Sequence, residues 1–168
     1  GDMDKKLLVI ISLLTVVVLF GGVFLLSNSG GPATVEKTAG AQIQTFHKDF
    51  DFKDIKYDGG KAIHAFPIKN NGYKDLTVAN LSTSCMCTQA YLKKGEEKSP
   101  SFGMKGHTSA SDWKGVLKPK EEAEVVTVFD PTAHGPQGIG PISRLVSFET
   151  NDPQNPYVEF SFSAVVVK

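Results

Sequence analysis

Apolar residues fall along this chain in two rhythms. From Leu7 to Leu26 they run without a charged residue, diluted only by Ser12, Thr15, Gly21 and Gly22. At ~1.5 Å rise per residue such a helix spans roughly 30 Å, the thickness of bilayer hydrocarbon. The run has no polar face, which argues against a helix buried in a soluble core. From about Ile43 onward the rhythm shortens to period 2, broken by turn residues. His64, Phe66 and Ile68 share one face of a segment running from Lys61 to Lys69, and Pro67 on the other parity marks an edge or a bulge. Leu76 and Val78, Val125 to Phe129, and Val146 with Phe148 continue the pattern. Val158, Phe160, Phe162, Ala164 and Val166 define the last strand. Asp58-Gly59-Gly60, Asn70-Asn71-Gly72, Asp130-Pro131 and Asn151-Asp152-Pro153 supply the turns.

About seven strands at regular spacing predict an all-β, immunoglobulin-like sandwich preceded by one N-terminal transmembrane helix. No stretch after the anchor has helical amphipathicity, so a parallel α/β sheet with crossover helices is excluded. The expected organisation is a cytoplasmic N-terminus (1–6), a transmembrane anchor (7–26), a flexible linker (27–40) and the sandwich (41–168). The linker is small and polar, without apolar periodicity. Lys93 to Gly115 reads as a long polar loop, a length often reserved for function.

Charge orients the anchor. Lys5 and Lys6 precede it, and the next basic residue is Lys37. The positive-inside bias puts the N-terminus in the cytoplasm and the sandwich in the periplasm or outside the cell. A cleaved signal peptide is the rival reading, with Ser27-Asn28-Ser29 as a weak cleavage site. An apolar run longer than about 7–15 residues favours retention. Basic and acidic residues balance at 18 each, leaving no electrostatic footprint for nucleic acid. The expected partners are the membrane, through the helix, and a protein of the cell envelope.

Both cysteines lie in Thr83-Ser84-Cys85-Met86-Cys87-Thr88. In an extended backbone residues i and i+2 project to the same side, with Cα atoms about 6.5–7 Å apart. That is the upper limit for a disulfide, so a local bridge needs a bend. Two same-facing thiols can instead chelate one soft ion. Met104 and His107 in the long loop, and His134 after Asp130-Pro131, add sulfur and imidazole. The candidate metal ligands are therefore Cys85, Cys87, Met104, His107 and His134, and the mixture suits copper(I) first, with zinc behind it. Trp113 could cover such a site. The plainer alternatives are cysteines that pack or bridge structurally, and a dithiol–disulfide couple. His64 reads as a core histidine.

The chain has no G-x-S-x-G, no H-E-x-x-H, no phosphate-cradling loop and no dinucleotide fingerprint, so it is read as a non-enzyme. The primary expectation is a membrane-anchored extracytoplasmic domain that binds a soft metal. A metal-independent interaction or scaffold module is the alternative.

Several segments carry a resemblance. They are Phe50-Asp51-Phe52-Lys53-Asp54-Ile55, His64-Ala65-Phe66-Pro67-Ile68-Lys69-Asn70-Asn71-Gly72, the Ser84-Cys85-Met86-Cys87-Thr88 piece, Val128-Phe129-Asp130-Pro131 and Glu149-Thr150-Asn151-Asp152-Pro153. Their order resembles a bacterial family of exported, immunoglobulin-like domains of unknown function, similar to Hydin-type sandwich domains. That family usually has Gly where Met86 stands, and a shorter loop than the one holding Met104 and His107. The resemblance implies a sandwich, export and a binding or scaffold role. It implies no reaction.

Overall fold

A computed structural model describes residues 2–27 and 30–168. Asn28 and Ser29, within both the expected linker and the weak cleavage site, lie outside the described residues. The chain divides into two units, residues 1–31 and 32–168.

The first unit contains helix α1, Asp2–Ser27. Its apolar side chains from Leu7 to Val23 are exposed on every side. The stretch Asp4–Val23 is long and apolar enough to cross a membrane. The Thr15 hydroxyl donates to the Ile11 carbonyl at 2.8 Å, so this polar group is satisfied within the helix.

The second unit is a sandwich of two five-stranded sheets. Its strands are β1 (Ile43–Thr45), β2 (Asp49–Lys56), β3 (Ala62–Asn70), β4 (Leu76–Thr83) and β5 (Thr88–Lys94). Then follow β6 (Glu97–Lys98), β7 (Lys114–Leu117), β8 (Glu122–Phe129), β9 (Gly140–Thr150) and β10 (Tyr157–Val167). One sheet has the order β1-β3-β8-β5-β6 and the other β2-β10-β9-β4-β7. Seven strands have seven or more residues; β1, β6 and β7 are edge pieces of three, two and four. The seven long strands match the sequence expectation. The edge pieces β6 and β7 shorten the expected loop at both ends.

The core follows period 2. Val158, Phe160, Phe162, Ala164 and Val166 of β10 are all buried, as are Phe66 and Ile68 of β3. The Phe66 and Phe160 rings stack across the two sheets, centroids 4.6 Å apart. A second, smaller cluster joins Cys87, Phe129, Phe162 and Val166, with Phe52, Ile55 and Ile142 against it. At Pro67 the missing backbone donor is tolerated because β1 pairs only with Ile68 to Asn70.

Part of the expected linker behaves otherwise than a free tether. Ala33 is buried; its N–H donates to Asn80 Oδ1 at 3.0 Å, and Asn80 Nδ2 donates back to its carbonyl at 2.8 Å. The Thr38 N–H donates to the Asn151 carbonyl at 2.8 Å. Residues 32–40 are thus laid on the sandwich by backbone hydrogen bonds, which composition does not reveal. At the Asn70-Asn71-Gly72 turn a side chain on Gly72 would strike the Gly40 carbonyl, so this crossing requires glycine.

Candidate functional site

The cysteine segment is a turn between β4 and β5, not an extended strand. The Thr88 N–H donates to the Cys85 carbonyl at 3.1 Å and closes it. The Thr83 hydroxyl reaches the Cys85 and Thr88 carbonyls, 2.9 Å from each. Ser84 clamps the turn to β9, with its N–H on the Leu145 carbonyl at 3.0 Å and its Oγ accepting the Leu145 N–H at 2.9 Å. This bend brings the two Cα atoms to 5.2 Å and the two sulfurs to disulfide distance. The strand geometry expected from sequence holds them farther apart, and the turn supplies the bend a local bridge needs. Met86, between them, is exposed at the tip.

The two sulfurs differ in surroundings. Cys87 is buried in the second core cluster, and its carbonyl accepts the Asp130 N–H at 2.9 Å. Cys85 is half-buried. His134 Nε2 lies 3.0 Å from Cys85 Sγ. Arg144 Nε–H donates to Cys87 Sγ at 3.1 Å, and its Nη1 donates to the Ser143 carbonyl at 2.7 Å.

Local sequence explains how His134 arrives. Asp130 Oδ1 accepts the Thr132 N–H at 2.9 Å and its hydroxyl at 2.7 Å, folding the chain after β8. Those hydrogen bonds hold the Asp130 carboxyl below its ordinary value. Gly135 then takes a positive φ of 65°, which a side chain would resist, and the short 3-10 turn Gly135–Gly138 follows.

Cys85, Cys87 and His134 each offer one ligand atom, all within 4.8 Å of one another. His107 lies outside this group, exposed in a turn closed by its own N–H on the Met104 carbonyl. Met104 pairs by backbone bridge with Thr83, two residues before Cys85. Its neighbours Lys105, Gly106 and Thr108 line a separate cavity of about 590 Å³ with Ser82, Ser147 and Tyr157. Trp113 packs on Phe102 against the main core, not over the cysteines. His64 stacks on Phe50 with centroids 3.6 Å apart and meets His47, Nε2 to Nε2, at 3.0 Å. It fits the reading as a structural histidine.

Arg144 is absent from the residues that spacing alone singles out. Two signals mark it. It is the only arginine among 18 basic residues, and it shares parity with Ile142, Val146 and Phe148 of β9. A cation on the core-facing side of a strand calls for a partner.

A model of the family described as a protein of unknown function (DUF1573) matches residues 43–100, from β1 to just past β6, with both cysteines inside. No curated protein matches the chain. Among solved structures, the chain is similar to a protein of unknown function from Porphyromonas gingivalis W83. The identity is 19% and the TM-score 0.56, over 79% of this chain and 49% of that one. The chain therefore spans about half that protein's length. It is also similar to the ASH/PapD-like domain 7 of human CEP192, at 19% identity and a TM-score of 0.47, over 84% of this chain and 96% of that one. At such identities the likeness to the Porphyromonas protein speaks for the fold alone, the two-sheet sandwich that the strand pairing already shows.

Proposed function

We propose that this protein is a membrane-anchored, extracytoplasmic domain that binds one soft metal ion, copper(I) first, at the Cys85–Cys87 turn. The observation that carries the reading is the convergence of Cys85, Cys87 and His134 within 4.8 Å. Two thiolates and an imidazole suit copper(I) or zinc far better than magnesium or calcium.

Charge favours the monovalent ion. A reduced, deprotonated pair carries two negative charges. One copper(I) and the Arg144 guanidinium, 3.1 Å from Cys87 Sγ, balance them. A zinc ion leaves an excess positive charge in a half-buried place, which costs free energy. Zinc also favours four ligands, and this cluster gathers three. Met104, bridged through its backbone to Thr83, and His107 stand as candidate outer ligands. Loading requires the dithiol, because bridged sulfurs have no thiolate to give. The role is binding rather than catalysis. The lysines ahead of the apolar helix support a cytoplasmic N-terminus and an exported sandwich, open to envelope proteins and metal ions.

Anaerobic titration of the reduced full chain with copper(I), against a competing chelator, tests this. The expected result is one equivalent bound, with affinity lowered more than about a hundredfold in a Cys85→Ser/Cys87→Ser variant, since even outer-sphere changes at metal sites cost 10–100-fold. Undiminished binding by that variant would refute the metal reading and favour a metal-independent interaction module.

A further inference from the structure

The asymmetry of the two sulfurs carries a second activity, one that does not rest on the metal reading. Cys85 is half-buried and faces an exposed imidazole. Cys87 is buried and receives the Arg144 Nε–H. Among the described residues no carboxylate pairs with Arg144. A half-buried cation on the core-facing side of a strand, with a sulfur as its neighbour, acquires a counter-charge only when that sulfur becomes a thiolate.

We infer that the Cys85–Cys87 pair is a thiol–disulfide exchange site, in which a protein dithiol attacks Cys85 and Cys87 leaves toward Arg144. A thiolate of the dithiol bonds to Cys85 Sγ. The Cys85–Cys87 bond breaks, and its electron pair departs on Cys87 as a thiolate beside the guanidinium. The second thiolate of the dithiol then attacks the partner's own sulfur in the mixed disulfide. Cys85 leaves with that electron pair and takes a proton, for which His134 Nε2 stands 3.0 Å away. The partner loses two electrons and becomes a disulfide; the Cys85–Cys87 pair gains them. Of the two protons the dithiol releases, one ends on Cys85 and one passes to solvent while Cys87 remains a thiolate. Attack at Cys87 is disfavoured because Phe129, Phe162 and Val166 surround it. Attack at Cys85 is open, and the leaving sulfur is the stabilised one, the combination that speeds exchange.

The test uses the oxidised full chain in detergent micelles, free of metal, with dithiothreitol as the dithiol and glutathione as a trapping monothiol. Acid quenching and alkylation give the reduction rate by mass, and fragmentation places the glutathione adduct. The expected adduct is on Cys85. Arg144→Gln is expected to slow reduction by dithiothreitol roughly three- to tenfold, because the leaving thiolate loses its stabilisation. Arg144→Lys, which keeps a cation, is expected to recover most of the rate. An adduct on Cys87, equal rates for wild type and Arg144→Gln, or a pair that resists dithiothreitol until the sandwich unfolds, overturns the inference. If Arg144→Gln fails to fold by circular dichroism, the adduct position in the wild-type chain decides alone. Because copper is absent throughout, the outcome is separate from that of the titration.

Discussion

Two polar turns close opposite ends of the sandwich, and they treat their polar groups differently. The β4–β9 register sets Val78 opposite Thr150 and Thr83 opposite Val146. The β9–β10 turn therefore sits by the start of β4, and the cysteine turn by its end. In the β9–β10 turn Asp152 is 1% exposed. Its carboxylate accepts the N–H groups of Ile43 at 3.0 Å and Gln154 at 2.8 Å, and Asn155 Nδ2 at 3.0 Å. Asn151 accepts the Thr77 N–H at 2.7 Å and donates to the Asp75 carbonyl at 3.0 Å. Every partner is backbone or side chain of the same fold, so this turn ties strands together and has nothing left for a ligand. At the cysteine turn the arrangement is open: an exposed imidazole beside one sulfur and a cation beside the other. The difference teaches how to separate a structural polar cluster from a chemical one: in the first the hydrogen bonds close on themselves.

Asp152→Ala is the largest expected break in that comparison. It removes three hydrogen bonds and orphans the buried Ile43 N–H, which costs about 2–3 kcal/mol. A urea unfolding curve reads it, and copper(I) affinity should not move. Burial pushes the Asp152 carboxyl up, but the hydrogen bonds from Asn155, Ile43 and Gln154 outweigh it and hold the group below its ordinary value. A depressed folded value means that this contribution is present above the unfolded carboxylate range, about 3.9, and is lost as pH falls through the folded value. The variant should therefore show a flatter acid limb. Next in size is Cys85→Ser/Cys87→Ser. Closing so short a loop constrains the unfolded chain little, so the oxidised wild type should exceed the variant by only about 1–2 kcal/mol. A loss larger than that of Asp152→Ala would make the cysteine turn the structural one and invert the contrast.

His134→Ala sharpens the comparison further. The side chain is exposed, so stability should change by no more than about 0.5 kcal/mol. Copper(I) affinity should fall at least about tenfold, since even residues outside the ligand shell cost 10–100-fold at metal sites. Equal losses in stability and affinity would recast His134 as packing.

The fold was far more legible than the site, for physical reasons. The five apolar positions of β10, Val158 to Val166, repeat with period 2 and bury together, because a sheet face is a local property of the chain. The cysteine bend is not local. The Thr83 hydroxyl closes it from two residues away, but its anchor is the grip of Ser84 upon Leu145, 61 residues away. His134 reaches Cys85 across 49 residues, through an Asp130 turn and a left-handed Gly135. Arg144 was not singled out, although its shared parity with Ile142, Val146 and Phe148 of β9 was a signal that could have found it. The pieces β6 and β7 are too short for periodicity to show.

The smallest expected effect belongs to a third cluster, at the flank of β3. His47 and His64 face each other, Nε2 to Nε2, at 3.0 Å, a contact that needs one neutral ring to accept while the other donates. Burial, and after it the charge of His47, hold His64 below the ordinary imidazole value. The unfolded chain therefore takes up a proton near about pH 6.5, before the folded one does. The stabilisation is present above that pH and is lost as pH falls through the folded value. Urea midpoints measured from pH 8 to 5 should decline modestly, since His47 is exposed and water screens the repulsion. His47→Ala should shrink the decline without touching the separate acid limb set by Asp152. A decline that persists unchanged in His47→Ala would assign the proton uptake to burial of His64 alone.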